Sequence, residues 1–210
     1  MKKKLEKVHL YCFSPGALCG SRDPLELVAA QISGGADAIQ LREKGRSKRE
    51  RLEFGLEIKR MTEEAGVLFI VNDDVDLALA LNADGVHLGQ DDLPIRFART
   101  LMKDKIIGVS THSLEQAKEA VDAGADYIGV GPVFETSTKL DRDPLVGLDL
   151  VSRVRDMCSI PYIAIGGIGK QNMASLIDAG CRRAAVISDI LLADNPETQC
   201  RLLKSMLKPS

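Results

Sequence analysis

Four phrases of this chain are near-copies of one another: GGADAIQL at 34–41, NADGVHLG at 82–89, AGADYIGVG at 123–131 and AGCRRAAVIS at 179–188. Each joins the end of an amphipathic segment to a short apolar run through a Gly or Asn stop, the grammar of a helix that ends and hands over to a strand. The apolar runs are VHLYCF (8–13), AIQLR (38–42), VLFIV (67–71), GVHLG (85–89), IIGVS (106–110), YIGVG (127–131), PYIAIG (161–166) and AAVIS (184–188). They are continuous rather than alternating, as expected of parallel strands covered on both faces. Between them, 24–33 and 47–65 carry apolar residues at three- and four-residue spacing, 113–124 opens on Ser113 and closes on Gly124, and 172–180 repeats that pattern. Eight strand–helix units in 210 residues predict an α/β fold, one (β/α)8 TIM-barrel domain over 1–210. The competing architecture is a doubly wound open sheet. Its phosphate-binding GxGxxG after the first strand is absent, because that strand runs into SPGALCG.

A barrel delivers the C-terminal end of every strand to one face, where the loops build a site. Acidic residues stand at that end of two neighbouring strands: Asn72, Asp73 and Asp74 after the third, Asp91 and Asp92 after the fourth. Facing carboxylates suit a magnesium ion, which takes one or two of them together with water and phosphate oxygens. Acids at helix starts also cap free N–H groups. We read Asp74 and Asp91 as caps, and Asp73 and Asp92 as a metal pair.

The remaining strand ends supply groups for anions. QLREKG (40–45) puts Arg42 and Lys44 on one side of an extended chain. GPVFETSTK (131–139) offers a Gly-Pro turn, the hydroxyls of Thr136, Ser137 and Thr138, and Lys139. IGGIG (165–169) and VISDI (186–190) follow the seventh and eighth strands, where barrels often bind phosphate. In GVSTH (108–112), Ser110 could face the mouth and His112 could serve as an acid, a base or a cap. His87 reads as a satisfied wall residue. Two phosphate regions flanking an acidic pair suggest two phosphorylated substrates, one of them a diphosphate.

Bulk properties narrow the alternatives. A net charge of −2 gives no general polyanion surface, so no nucleic-acid partner is expected. No segment approaches the roughly 20 apolar residues of a membrane span. The run behind the basic MKKKLEK is too short for a signal sequence. Five cysteines without a CxxC read as free thiols in a reducing cytoplasm.

The phrases QLREK (40–44), VNDDVDLA (71–78), GVHLGQDD (85–92), GVSTH (108–112), GADYIGVGPVFETSTK (124–139), AIGGI (164–168) and VIS (186–188) together resemble the thiamine-phosphate synthase family. The resemblance implies Mg²⁺-dependent coupling of an aminopyrimidine diphosphate to a thiazole phosphate, giving thiamine phosphate and diphosphate. It assigns Gln40, Leu41, Arg42, Glu43, Lys44 and Asn72 to the pyrimidine diphosphate, with Ser110 and Lys139. Asp73 and Asp92 become the Mg²⁺ ligands. Thr136, Ser137, Thr138, Gly167, Ile187 and Ser188 hold the thiazole phosphate, and Arg42, Lys44 and Lys139 act at the leaving group. A homodimer is left open. The chain departs from the family pattern in its first loop, Ser14–Gly20, and at Glu135, where the family commonly has proline. The second departure is shared with the related thiazole tautomerases, for which His112 would be the acid/base. A non-catalytic barrel that binds thiamine phosphates is the third reading.

Overall fold

The computed structural model describes residues 2–136 and 144–208. Eight parallel strands close into a barrel in sequence order. They are β1 (Leu10–Phe13), β2 (Ala38–Leu41), β3 (Leu68–Asn72), β4 (Gly85–Leu88), β5 (Ile106–Thr111), β6 (Tyr127–Val130), β7 (Tyr162–Ile165) and β8 (Ala184–Ala185). Helix α1 (Lys2–Leu5) precedes the barrel. Around it run α2 (Pro24–Ser33), α3 (Lys48–Ala65), α4 (Val75–Ala80), α5 (Ile95–Met102), α6 (Leu114–Asp122), α7 (Gly147–Met157), α8 (Met173–Asp178), α9 (Ser188–Leu191) and α10 (Pro196–Leu207). The expected eight strands are present. The last is shorter than 184–188, because the chain leaves extended geometry at Ile187 and turns into α9 at Ser188.

Two apolar layers hold the fold. The larger lies between the strands' outer faces and the helices, around Ile39, Leu41, Ile58, Phe69, Val71 and Val151. The smaller fills the barrel interior with Tyr11, Phe13, Leu68, Ile70, Ile106, Tyr127 and Ile163, closed below by Leu5 and Val8. Helix ends follow the sequence logic. Ser47 and Glu50 form a reciprocal capping box on α3, and the Ser113 hydroxyl accepts the Gln116 N–H at 3.2 Å.

The repeated phrases contain a further device. Asp37 precedes β2 and accepts the N–H groups of His9 and Leu10 at 2.8 and 2.9 Å. Asp84, before β4, accepts Phe69 N–H at 2.9 Å, and Asp126, before β6, accepts Ile107 N–H at 2.9 Å. Each carboxylate satisfies a backbone donor at the start of the preceding strand, so β1–β2, β3–β4 and β5–β6 are tied in pairs at the barrel's N-terminal end. The fourth phrase has Arg183 in place of the acid, and there the Arg183 carbonyl takes the Ala164 N–H at 3.0 Å.

Candidate active site

The C-terminal ends of the strands surround one cavity of about 810 Å³. Strand alternation decides which predicted residues reach it. Gln40, Arg42 and Lys44 line the cavity, as do Asn72, Asp73, Asp92, Ser110 and Thr136, and Gly167, Ile187 and Ser188 on the opposite rim. Ser137, Thr138 and Lys139 lie outside the described residues.

The side chains of Leu41 and Glu43, which the resemblance assigns to the pyrimidine substrate, point away from the cavity. Leu41 is buried in the layer beneath the helices, against Gly55 of α3. Glu43 is buried, accepts Gly16 N–H at 3.0 Å and pairs with Arg46 at 3.2 Å. It therefore fastens the loop after β1 to the loop after β2. Arg22 fastens the same first loop to the far rim, donating to the carbonyls of Leu18, Leu191 and Ala193.

The acids behave differently from one another. Asp74 occupies the N-cap position of α4 but makes no cap. Its carboxylate pairs with Arg51, and with Lys48 at 3.3 Å, because two cations from α3 outcompete a backbone donor. Asp91 does not cap either, since α5 begins only at Ile95 after Pro94; Asp91 lines the mouth instead. Asp92 closes the turn after β4 by accepting Gly89 N–H at 2.6 Å.

Asp73 sits at φ 63°, in the left-handed region that non-glycine residues enter at a cost. Its N–H is held by the His87 carbonyl at 2.8 Å, which fixes the acid at the junction of β3 and β4. Its carboxyl is pushed up to about 6, first by burial and then by the charge and hydrogen-bonding contact of Asp92, with Lys44 and Arg42 acting in the opposite direction. Two carboxylates and two cations thus share one pit.

The donor set suits Mg²⁺. Among the described residues no cluster of three or more His, Cys, Asp or Glu side chains is placed to hold a metal. A pair of hard oxygen ligands, with the other positions left to water and phosphate, is what this ion accepts.

Gly166 and Gly167 line the cavity and also make room for a neighbouring loop. Cβ atoms there would meet Pro132 at 2.6 Å and the Glu135 carbonyl at 2.3 Å. The space their missing side chains leave is filled by the loop after β6, and Phe134 N–H donates to the Gly166 carbonyl at 3.0 Å. The two phosphate-side loops are therefore packed on each other. His112 lines the cavity, with Nδ1 at 2.6 Å from the Gly131 carbonyl and its backbone N–H on Gln116.

The cavity floor holds two residues, Tyr11 and Tyr127, to which the amino-acid sequence alone assigns no role. Tyr11 and Tyr127 meet at 3.0 Å between hydroxyls, Gln40 donates to Tyr11 at 2.9 Å, and Tyr127 meets His87 Nδ1 at 2.9 Å. His87 Nε2 lies 3.0 Å from the Ser110 hydroxyl. The available signal was a tyrosine in an otherwise aliphatic β6, since a buried phenol requires a partner.

Residues 10–190 match a family model described as thiamine monophosphate synthase. A thiamine-phosphate synthase of Chloroflexus aurantiacus is 45% identical over 198 residues, 94% of this chain and 92% of its own. One of Bacillus cereus is 44% identical over 212 aligned positions, 99% and 97% of the two chains. Thiamine phosphate pyrophosphorylase from Pyrococcus furiosus superposes with a TM-score of 0.85 at 36% identity, covering 96% of each chain. A 3-hexulose-6-phosphate synthase from Salmonella typhimurium, at 18% identity and TM-score 0.71, shares the fold.

Proposed function

The chain belongs to the thiamine monophosphate synthase family, a family of transferases, and from that premise we propose that this mouth joins an aminopyrimidine diphosphate to a thiazole phosphate, with Mg²⁺ held by Asp73 and Asp92. The observation that carries the reading is the convergence of that acid pair with Arg42 and Lys44 in one cavity. An isomerase of the same barrel type, working through His112, would leave that charged cluster without a task.

The chemistry asks little of acids and bases and much of electrostatics. As diphosphate leaves the pyrimidine methylene, negative charge grows on its oxygens. The planar fork of Arg42 and the point charge of Lys44, both lining the cavity, would meet it, joined by Lys139 according to the family resemblance. Bound Mg²⁺ would add neutralisation of the diphosphate. The carbon left behind is cation-like, and Phe13, Ile163 and Ile165 give it an apolar wall that keeps water away. The thiazole nitrogen then forms the new C–N bond, with the thiazole phosphate held on the opposite rim by Thr136, Gly167 and Ser188. Holding both reactants in line converts a two-body encounter into a single-body step.

The test mixes protein with the two substrates, with and without Mg²⁺, and follows thiamine phosphate and diphosphate. Metal-dependent formation of both in equal amounts is the expected result. Thiazole isomerisation without metal would replace this reading with the isomerase.

Leu79 on α4 and Phe97 and Leu101 on α5 are exposed, an apolar face that a second copy would cover in a homodimer. Sedimentation would show a mass of twice 22.8 kDa. The five cysteines are free thiols, which fits a reducing cytoplasm. Among the described residues no helix is long and apolar enough to cross a membrane.

A further inference from the structure

The floor of the cavity is a continuous chain of hydrogen bonds across the barrel: Gln40 on β2, Tyr11 on β1, Tyr127 on β6, His87 on β4 and Ser110 on β5. All five line the cavity, and Gln40, Tyr11 and Tyr127 are almost fully buried. Its two ends, Gln40 and Ser110, are residues that the family resemblance assigns to the pyrimidine substrate.

Proton counting constrains this chain. Each hydroxyl carries one hydrogen, and a neutral imidazole carries one N–H. With Gln40 donating to Tyr11, the Tyr11 hydrogen goes to Tyr127 and the Tyr127 hydrogen goes to His87 Nδ1. The imidazole hydrogen is then on Nε2 and goes to Ser110, whose own hydrogen is left for whatever occupies the cavity. In this direction Gln40 presents its carbonyl oxygen and Ser110 presents a donor. Reversing the amide of Gln40 reverses every link. Tyr11 then donates to Gln40, His87 carries its hydrogen on Nδ1, and Ser110 is spent donating to Nε2. Both ring nitrogens face neutral hydroxyls, at 2.9 and 3.0 Å, and the neutral imidazole set between them carries one hydrogen.

We propose that this chain is a directional relay that couples the two ends of the floor, so that Gln40 can act as an acceptor only while Ser110 acts as a donor. The pattern matches an exocyclic amine together with an unprotonated ring nitrogen. An alkoxy group in place of the amine only accepts, while the ring nitrogen stays unprotonated, so such a ligand needs donors at both Gln40 and Ser110, which the relay cannot supply together. His87 and Tyr127 are positioning residues in this arrangement. The assignment of the ligand rests on the proposed function; the coupling itself does not.

Two measurements test it. Nitrogen-15 NMR of ligand-free protein reads the His87 tautomer directly. The wild type should hold hydrogen on Nε2. Gln40→Glu, whose carboxylate only accepts at pH 8, should move it to Nδ1. An unchanged tautomer in that variant, or averaged tautomers in the wild type, overturns the relay. This arm needs no turnover and stands whether or not the proposed function holds. The second arm compares kcat/KM for the aminopyrimidine diphosphate and its 4-methoxy analogue. Tyr127→Phe, which cuts the relay, should narrow the wild-type preference for the amine at least ~10-fold. An equal loss on both substrates would reduce Tyr127 to a packing residue and overturn the specificity role. Absence of product from either substrate in the wild type would count against the proposed function alone.

Discussion

The ring of Tyr127 lies where a side chain at position 108 would have to go: a Cβ on Gly108 would fall 2.1 Å from the Tyr127 Cζ. A glycine in the middle of β5 weakens a strand, so its presence there reflects the room the ring needs. Gly108→Ala should push Tyr127 off its partners and destabilise the protein by about 1–3 kcal/mol, the scale of overpacking. Urea unfolding, run alongside kcat/KM, checks this. An alanine variant of normal stability would show that the floor is loosely packed.

Asp73 carries a stability cost in the folded protein. Its folded-state carboxyl titrates near 6, against an ordinary value of 3.8, so the native state binds that proton more tightly than the unfolded chain. Stability from this group is full at low pH and is lost as pH rises through about 6. In metal-free protein, Asp73→Asn should remove the charge repulsion and suit the left-handed backbone equally well. Discounted for solvent screening, the gain is about 1 kcal/mol, or about 2–4 °C in Tm at pH 7.5, and it should vanish near pH 4. The same substitution should lower the coupling rate by about 10²-fold or more. A near-normal rate at saturating Mg²⁺ would sink the metal assignment.

Glu43 offers a cleaner separation of binding from support. Glu43→Ala leaves the Gly16 N–H without its acceptor and frees Arg46, a loss of about 1–3 kcal/mol. Glu43→Gln keeps an acceptor and should recover most of that stability. If Glu43 gripped substrate through its carboxylate, both variants would raise KM alike. The buried geometry predicts that only alanine does so.

The anchors at the barrel's other end should act on stability alone. Asp84→Ala orphans the Phe69 N–H, and Asp126→Ala orphans the Ile107 N–H and one Arg99 contact at 2.7 Å. Each should cost about 1–3 kcal/mol with kcat unchanged. A fall in kcat at constant folded fraction would contradict this division between the two ends.

Much of this is legible in the amino-acid sequence. Continuous apolar runs with glycine stops gave eight strands and a barrel, because each run had to be covered on both faces. The two-residue strand period put Arg42 and Lys44 on one side, and the same period places Glu43 on the other. Glu43, which the family resemblance includes with them, is turned by that period to the loop after β1. The floor was not legible. Tyr11 and Tyr127 are 116 residues apart, and each reads as ordinary core in its own strand. Only closure of the barrel brings phenols from β1 and β6 to the histidine of β4. Asp74 misled for a related reason, since nothing near it in sequence announces that Arg51 of α3 will reach it.

The Asp37, Asp84 and Asp126 ties leave the backbone unevenly stitched. Cuts placed after β2, β4 or β6 sever no carboxylate anchor, whereas cuts within a tied pair sever one. New termini for a circular permutant therefore belong between the pairs, and two fragments divided after β4 should reassociate more readily than two divided after β3. The molecule's own seams fall at every second stave.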